Sequence, residues 1–227
     1  MVTAKVYIDC SYEGDLVAKS GVSHTWGRES REQYGESLAG VRPNIWVYDI
    51  DPYKEPGNPK SGLIPFVKNR KLGSEGSADK LTMGYCFRYK FDRKGEGIAI
   101  PKPIDYDPAE FELYRRAFHD EVDIFSTRSM RKLGRVTTAK RGGGRLIGTN
   151  LNRSLMTHTI YGCNAYYPDG DWATRARIWK FHQGFLVTFM HFLKTDPVVP
   201  KTLKERARKL SFKLGDFDET KGWPHQL

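Results

Sequence analysis

Apolar and polar residues alternate at the start of the chain. Val6 and Ile8 are set against Tyr7 and Asp9, and this period of two predicts a strand over residues 4–11. The polar turn Tyr12-Glu-Gly-Asp15 stops it. Residues 16–20 then read as a short helix closed by Gly21, in the left-handed position that ends many helices. A second strand is predicted over 81–91, followed by a turn at Lys94-Gly-Glu-Gly97. Asp107 is placed as an N-cap, with Pro108 at the first helical position and Glu110 completing a capping-box-like arrangement, so a helix is predicted to about Phe118. The longest helix is predicted over 172–194 with Asp171 as its cap. Trp172, Ala176, Trp179, Leu186 and Leu193 fall on one side, and Ile178, Phe185, Phe189 and Phe192 widen the stripe, which implies burial over much of the circumference. Pro197 and Pro200 end this helix, and residues 202–214 predict a basic helix closed by Gly215.

Between these elements, Asp51-Pro-Tyr-Lys-Glu-Pro-Gly-Asn-Pro-Lys-Ser-Gly62 holds prolines and glycines at a density that regular structure does not tolerate. Its length points to a functional loop or a crossing between domains. A strand, an acidic glycine turn and a short helix in succession suggest an α/β layer, and the expected fold class is α/β or α+β.

Composition bounds this picture. With 227 residues, of which 39% are hydrophobic, the chain has the material for a real core and is no disordered acidic tail. No run approaches the roughly 18 apolar residues of a membrane span; residues 184–193 come nearest and include His191. The N-terminus has no basic stretch followed by an apolar one, so no signal peptide is expected, and a complete chain would be soluble and cytoplasmic. Cys10, Cys86 and Cys163 lie too far apart for a CxxC pair and read as ordinary thiols.

The 37 Lys and Arg against 27 Asp and Glu give a formal charge of +10, which raises a nucleic-acid reading. Arg128, Arg131, Lys132, Arg135, Lys140, Arg141 and Arg145 share a glycine-rich stretch able to follow a phosphate backbone. It contains no stacking aromatics and no recognised nucleic-acid motif accompanies it, so a solvated loop is the favoured reading. The basic helix over 202–214 lacks the bulky apolar face of an interfacial helix and reads as a solvated cationic face. No H-E-x-x-H, G-x-S-x-G or G-x-x-x-x-G-K-[ST] occurs, and neither Gly142-Gly-Gly-Arg-Leu-Ile-Gly148 nor Gly73-Ser-Glu-Gly76 gives G-x-G-x-x-G in register. The six histidines are scattered; His182 and His191 are nine residues apart and share no metal-binding face. Residue chemistry alone yields no complete active site, and no metal site is expected.

Several segments nevertheless form an ordered pattern: Tyr7-Ile-Asp-Cys-Ser-Tyr-Glu-Gly-Asp-Leu16, Gly21-Val-Ser-His-Thr-Trp-Gly-Arg28, Ser61-Gly-Leu-Ile-Pro65, Gly84-Tyr-Cys-Phe-Arg88, Tyr167-Pro-Asp-Gly170, Arg175-Ala-Arg-Ile-Trp179 and Trp223-Pro-His-Gln-Leu227. Together they resemble the FAD-dependent oxidoreductase family, in its xanthan-lyase-like or heterodisulfide-reductase-subunit-A-like members. The resemblance implies a glutathione-reductase-like FAD fold, with residues 1–48 as an incomplete FAD-domain remnant and 49–227 as a middle, substrate-side region with one long helix. It implies FAD as cofactor, a small-molecule substrate, and hydride transfer to flavin in the complete family. Ser11, Tyr12, Glu13, Gly14 and Asp15 match a turn beside the cofactor. Arg88, Asn150 and Asn152 fall to the substrate side, and no catalytic residue is identified.

Asn150 and Asn152 match a Lys-x-Asp-x-Asn segment of the family, in which Gly148 here takes the Lys position and Asn150 the Asp position, so a cation and an anion are replaced. Family members carry a glycine-rich dinucleotide motif near the N-terminus and a second FAD-contacting segment near the C-terminus, and neither is found in these residues. The expectation is an internal fragment of a flavoprotein, binding FAD weakly and inactive alone. A non-catalytic binding module of the same fold and a basic nucleic-acid-associated protein are the alternatives.

Overall fold

The computed structural model describes residues 3–42, 50–88, 90–120, 155, 159–160 and 162–227. In chain order the helices are α1 (Asp15–Lys19), α2 (Arg31–Tyr34), α3 (Glu112–His119), α4 (Trp172–Thr195) and α5 (Lys201–Arg208). Two short strands, β1 (Phe91–Asp92) and β2 (Ser211–Phe212), pair antiparallel with Phe91 opposite Phe212 and Asp92 opposite Ser211. The described residues thus combine helices with one small sheet, a mixed class consistent with α/β or α+β. They fall into two compact units. The first comprises Met1–Pro43, Leu72–Met83 and Gly162–Ile178, and the second Asn44–Lys71, Gly84–Tyr161 and Trp179–Leu227.

The second unit holds the apolar core. Phe185, Leu186, Phe189, Phe192 and Leu193 of α4 are buried together with Phe111, Tyr114 and Ala117 from the α3 region and Leu203 and Ala207 of α5. Rings meet throughout: Phe111 stacks on Phe192 at 5.0 Å between centroids, and Phe185 on Phe189 at 5.4 Å. Local chemistry accounts for where these helices begin. The Thr174 amide donates to Asp171 Oδ1 at 2.7 Å, as the N-cap reading requires. The Ala109 amide donates to Asp107 Oδ1 at 2.9 Å, but the first turn, Pro108–Phe111, is 3₁₀, and α3 proper starts at Glu112. On the first turns of α4 the expected stripe departs from observation: Trp172 is 66% exposed, and the buried position belongs to Arg175.

Both predicted strands are corrected. Residues 4–11 and 81–88 enter no ladder among the described residues, and Val6 and Ile8 are exposed. Alternation makes a segment fit to be a strand, but a neighbour's N–H and C=O groups make it one. Among the described residues of the second stretch, the Lys90 carbonyl accepts from the Lys213 amide at 3.0 Å, and Phe91 alone enters the ladder, with Phe212 as its partner. That partner shortens the last helix too, because α5 stops at Arg208 where Leu210, Ser211 and Phe212 turn inward and are buried. The Ile98 amide donates to Phe212 O and the Phe212 amide to Ile98 O, each at 2.8 Å, beside the two-residue sheet.

Gly97 is required here for space alone, since a Cβ would sit 1.9 Å from Phe212 O. Gly97→Ala is expected to cost about 1–3 kcal/mol as the bridge is forced apart. A lowered urea midpoint checks this, and an unchanged midpoint would contradict it.

The proline-rich stretch after Asp51 is an ordered loop of the second unit. Its 3₁₀ turn is Pro59–Ser61, and Tyr53 bridges to Leu63. The Arg116 guanidinium pins it, donating from Nη1 to the carbonyls of Asp51 (2.9 Å) and Tyr53 (2.6 Å) and from Nη2 to that of Lys54 (3.1 Å). A fork of fixed donors meets three carbonyls that no ladder would serve.

The first unit is joined mainly by polar contacts. Arg28 and Asp79 exchange backbone hydrogen bonds at 2.8 and 3.1 Å and form a forked side-chain ion pair. The Val41 amide donates to Ser77 O and the Gly76 amide to Val41 O, both at 2.8 Å. Asn164 Nδ2 donates to Met83 O at 2.7 Å. No disulfide joins the three cysteines, no helix among the described residues is long and apolar enough to cross a membrane, and none of their His, Cys, Asp or Glu side chains cluster as a metal site.

Candidate functional site

Of the residues matched to a cofactor turn, Ser11 and Gly14 join a hydrogen-bond network centred on Asp9, which is not among the matched residues. Asp9 Oδ1 accepts from the Ser11 amide (2.8 Å) and hydroxyl (2.7 Å), and its Oδ2 accepts from the amides of Leu16 (2.9 Å) and Val17 (3.1 Å) at the start of α1. The Ser11 hydroxyl oxygen in turn accepts from the Gly14 amide at 3.1 Å. Gly14 bends the chain into α1 at φ 68°, a left-handed conformation natural to glycine. The Ser11 hydroxyl first, and then these amides, hold the Asp9 carboxyl well down, at about 2.

Asp15, the last residue of the turn, is engaged as well. Arg175 Nη1 and Nη2 donate to its two carboxylate oxygens at 2.7 and 2.8 Å, a fork-to-fork pair between residues 160 positions apart. The remaining donors of Arg175 reach Tyr167 O (2.9 Å) and Pro168 O (2.7 Å), and its guanidinium lies 5.3 Å from the Trp172 ring centroid. The Arg175 hydrogen bonds hold the Asp15 carboxyl below the usual carboxylate range. Tyr12 is almost fully exposed, and Glu13 is half-buried.

A cavity of about 500 Å³ opens in the same unit, lined in part by Trp26, Cys163, Tyr166, Asp169 and Arg177. The sequence reading proposed none of these as site residues, because they are dispersed and match no catalytic spacing. Arg88 belongs to the second unit, exposed and directly after the buried Cys86 and Phe87. Asn150 and Asn152 lie outside the described residues, as does the basic stretch from Arg128 to Arg145.

A family model described as FAD dependent oxidoreductase matches residues 1–226. The chain therefore belongs to the FAD-dependent oxidoreductase family, whose cofactor is FAD. No curated protein and no solved structure matches it.

The turn can be tested against that cofactor. A dinucleotide pyrophosphate seeks oriented backbone amides at a helix start. Here the amides of Leu16 and Val17 already donate to the Asp9 carboxylate, and Glu13 and Asp15 add further negative charge beside it. The turn therefore does not fit the pyrophosphate. With Asp15 paired to Arg175, its remaining negative charge is that of Asp9 and Glu13.

Proposed function

We propose that this chain contributes the cofactor-flanking edge and the substrate-side region of a glutathione-reductase-like flavoprotein, in the xanthan-lyase-like or heterodisulfide-reductase-subunit-A-like branch of its family. In this reading residues 1–48 end the FAD domain and residues 49–227 carry the substrate side. Ser11, Tyr12, Glu13, Gly14 and Asp15 flank the cofactor, and Arg88, Asn150 and Asn152 face the substrate. FAD, where bound, supplies the redox chemistry, and the protein supplies orientation and electrostatics. The observation that carries the reading is the turn itself, locked on one side by Asp9 and on the other by the Asp15–Arg175 fork. Such a turn is rigid enough to orient a neighbour, yet the Leu16 and Val17 amides at the start of α1 are already taken by Asp9.

With no pyrophosphate cradle of main-chain amides at the start of α1, the chain made alone is expected to bind flavin poorly and to be inactive. Purified, it is expected to be colourless. FAD added in excess is expected to shift the backbone amide resonances of residues 11–15 in preference to the rest. A chain that leaves gel filtration with one flavin per polypeptide overturns the proposed lack of a phosphate site. A titration that leaves residues 11–15 unmoved removes the turn from the cofactor's surroundings.

A further inference from the structure

The bend that follows β2 in the second unit is held in a conformation that side chains avoid. Phe217 and Lys221 adopt φ values of 58° and 57°, in the left-handed region, although neither is glycine. The bend is fixed by main-chain and small polar groups. The Gly222 amide donates to Phe217 O at 2.8 Å, the Gly215 amide to Asp218 Oδ1 at 2.9 Å, and the Trp179 indole N–H to Pro224 O at 3.0 Å. Gly222 lies so close to the Phe212 ring that a Cβ there would come within 2.6 Å of it.

Asp218 apart, the charged side chains of the bend take no part in these hydrogen bonds. Glu219, Lys221 and His225 instead line a groove of about 390 Å³ with Trp179 and Gln183 of α4. His225 Nε2 and Glu219 Oε1 lie 3.2 Å apart, and Lys221 forms no ion pair among the described residues. A carboxylate at Nε2 favours the tautomer with its proton there, which leaves Nδ1 of the neutral imidazole as an acceptor. Besides the Glu219 carboxylate, which is taken up by His225 Nε2, the groove presents an acceptor for a hydroxyl at His225, a cation at Lys221, an amide at Gln183 and the apolar indole of Trp179. Its volume suits a ligand of about sugar size.

We propose that this groove binds a small hydroxy-carboxylate, with a ligand hydroxyl donating to His225 and the ligand carboxylate paired with Lys221. The site shares no residue with the turn at residues 11–15 and does not rest on the reading given for it.

The test uses the whole chain without flavin and D-gluconate as probe, followed by calorimetry and by the imidazole resonances of His225. Gluconate is expected to bind saturably and to shift those resonances. His225→Gln and Lys221→Met are each expected to weaken binding about tenfold or more, the scale of one charge-assisted hydrogen bond. Sorbitol, which lacks the carboxylate, and acetate, which lacks the hydroxyls, are expected to bind at least about tenfold more weakly than gluconate. Both variants change exposed groups and should melt as the parent does. Absence of saturable gluconate binding overturns the proposal, as do affinities indifferent to both variants or acetate binding as tightly as gluconate. Because no flavin is present, none of these results bears on the cofactor reading.

Discussion

Phe189→Ala is expected to lower stability by about 3–5 kcal/mol, the usual range for removing a fully buried aromatic ring. Phe189 is fully buried, and its ring meets Tyr114 at 4.7 Å, Phe185 at 5.4 Å and Phe111 at 6.0 Å between centroids. Those neighbours come from α4 itself, from α3 and from the 3₁₀ turn before α3, so a cavity left there is bounded on several sides by side chains unable to close it. Both the lost transfer energy and the unfilled volume therefore weigh against the variant. Phe181→Ala provides the comparison on the same helix, because Phe181 is 45% exposed and far less of its burial is lost. Denaturant unfolding followed through the tryptophans should show a large fall in midpoint for the first variant and a small one for the second. Equal losses would mean that the ring stack is not the main stabilising element of this unit.

The same core shows which features were legible in the sequence. Asp171, the apolar run after Phe185, and Pro197 define α4 almost to the residue, because a cap, a 3.6-residue period and a proline each act on residues only a few positions away. Asp107 with Pro108 and the end of α1 before Gly21 were readable for the same reason. The strands were not. Val6 and Ile8 alternate correctly, yet whether a ladder forms depends on a partner elsewhere in the chain, about which a local pattern carries no information. Ser211 and Phe212 stand in a basic stretch that reads as helix, and pairing with Phe91 and Ile98 overrides that preference.

The candidate site divides in the same way. The turn from Ser11 to Asp15 was found through its resemblance to a family, and its residues do form one structure. Asp9 lies two residues before that turn, but nothing local announces that its carboxylate will occupy the amides of Leu16 and Val17. The Arg175 fork on Asp15 spans 160 residues, and the pairing of His225 with Glu219 depends on two left-handed residues that no composition rule anticipates. The polar groups that decide the chemistry were individually visible, and their pairings were not.

Arg175→Met should show how far the acidic turn depends on its distant partner. The Arg175 side chain is only 9% exposed, and its removal leaves the Pro168 carbonyl without its donor, Tyr167 O with the Gly170 amide but not the guanidinium, and the Asp15 carboxylate without its counter-charge. Breaking a buried pair from one side costs about 3–5 kcal/mol. Asp15 is 33% exposed and regains water, so about 2–4 kcal/mol is expected for this variant. Lysine retains the charge without the fork, so Arg175→Lys should recover only part of the loss.

The sign of the pH dependence follows from the lowered carboxyls of Asp9 and Asp15. A carboxyl depressed on folding stabilises the native state above its unfolded pKa, and that contribution disappears as pH falls through the folded value. For Asp9 the window runs from 3.8 down to about 2. The parent should therefore lose protection of the amides of Leu16 and Val17 through this range. In Arg175→Met, Asp15 no longer has the guanidinium that lowers its pKa, so its share of the acid dependence should shrink, while the Asp9 window remains. Hydrogen exchange of residues 11–17 against pH measures both effects. Unchanged exchange in the variant at neutral pH would show that the Arg175 fork does not hold the turn.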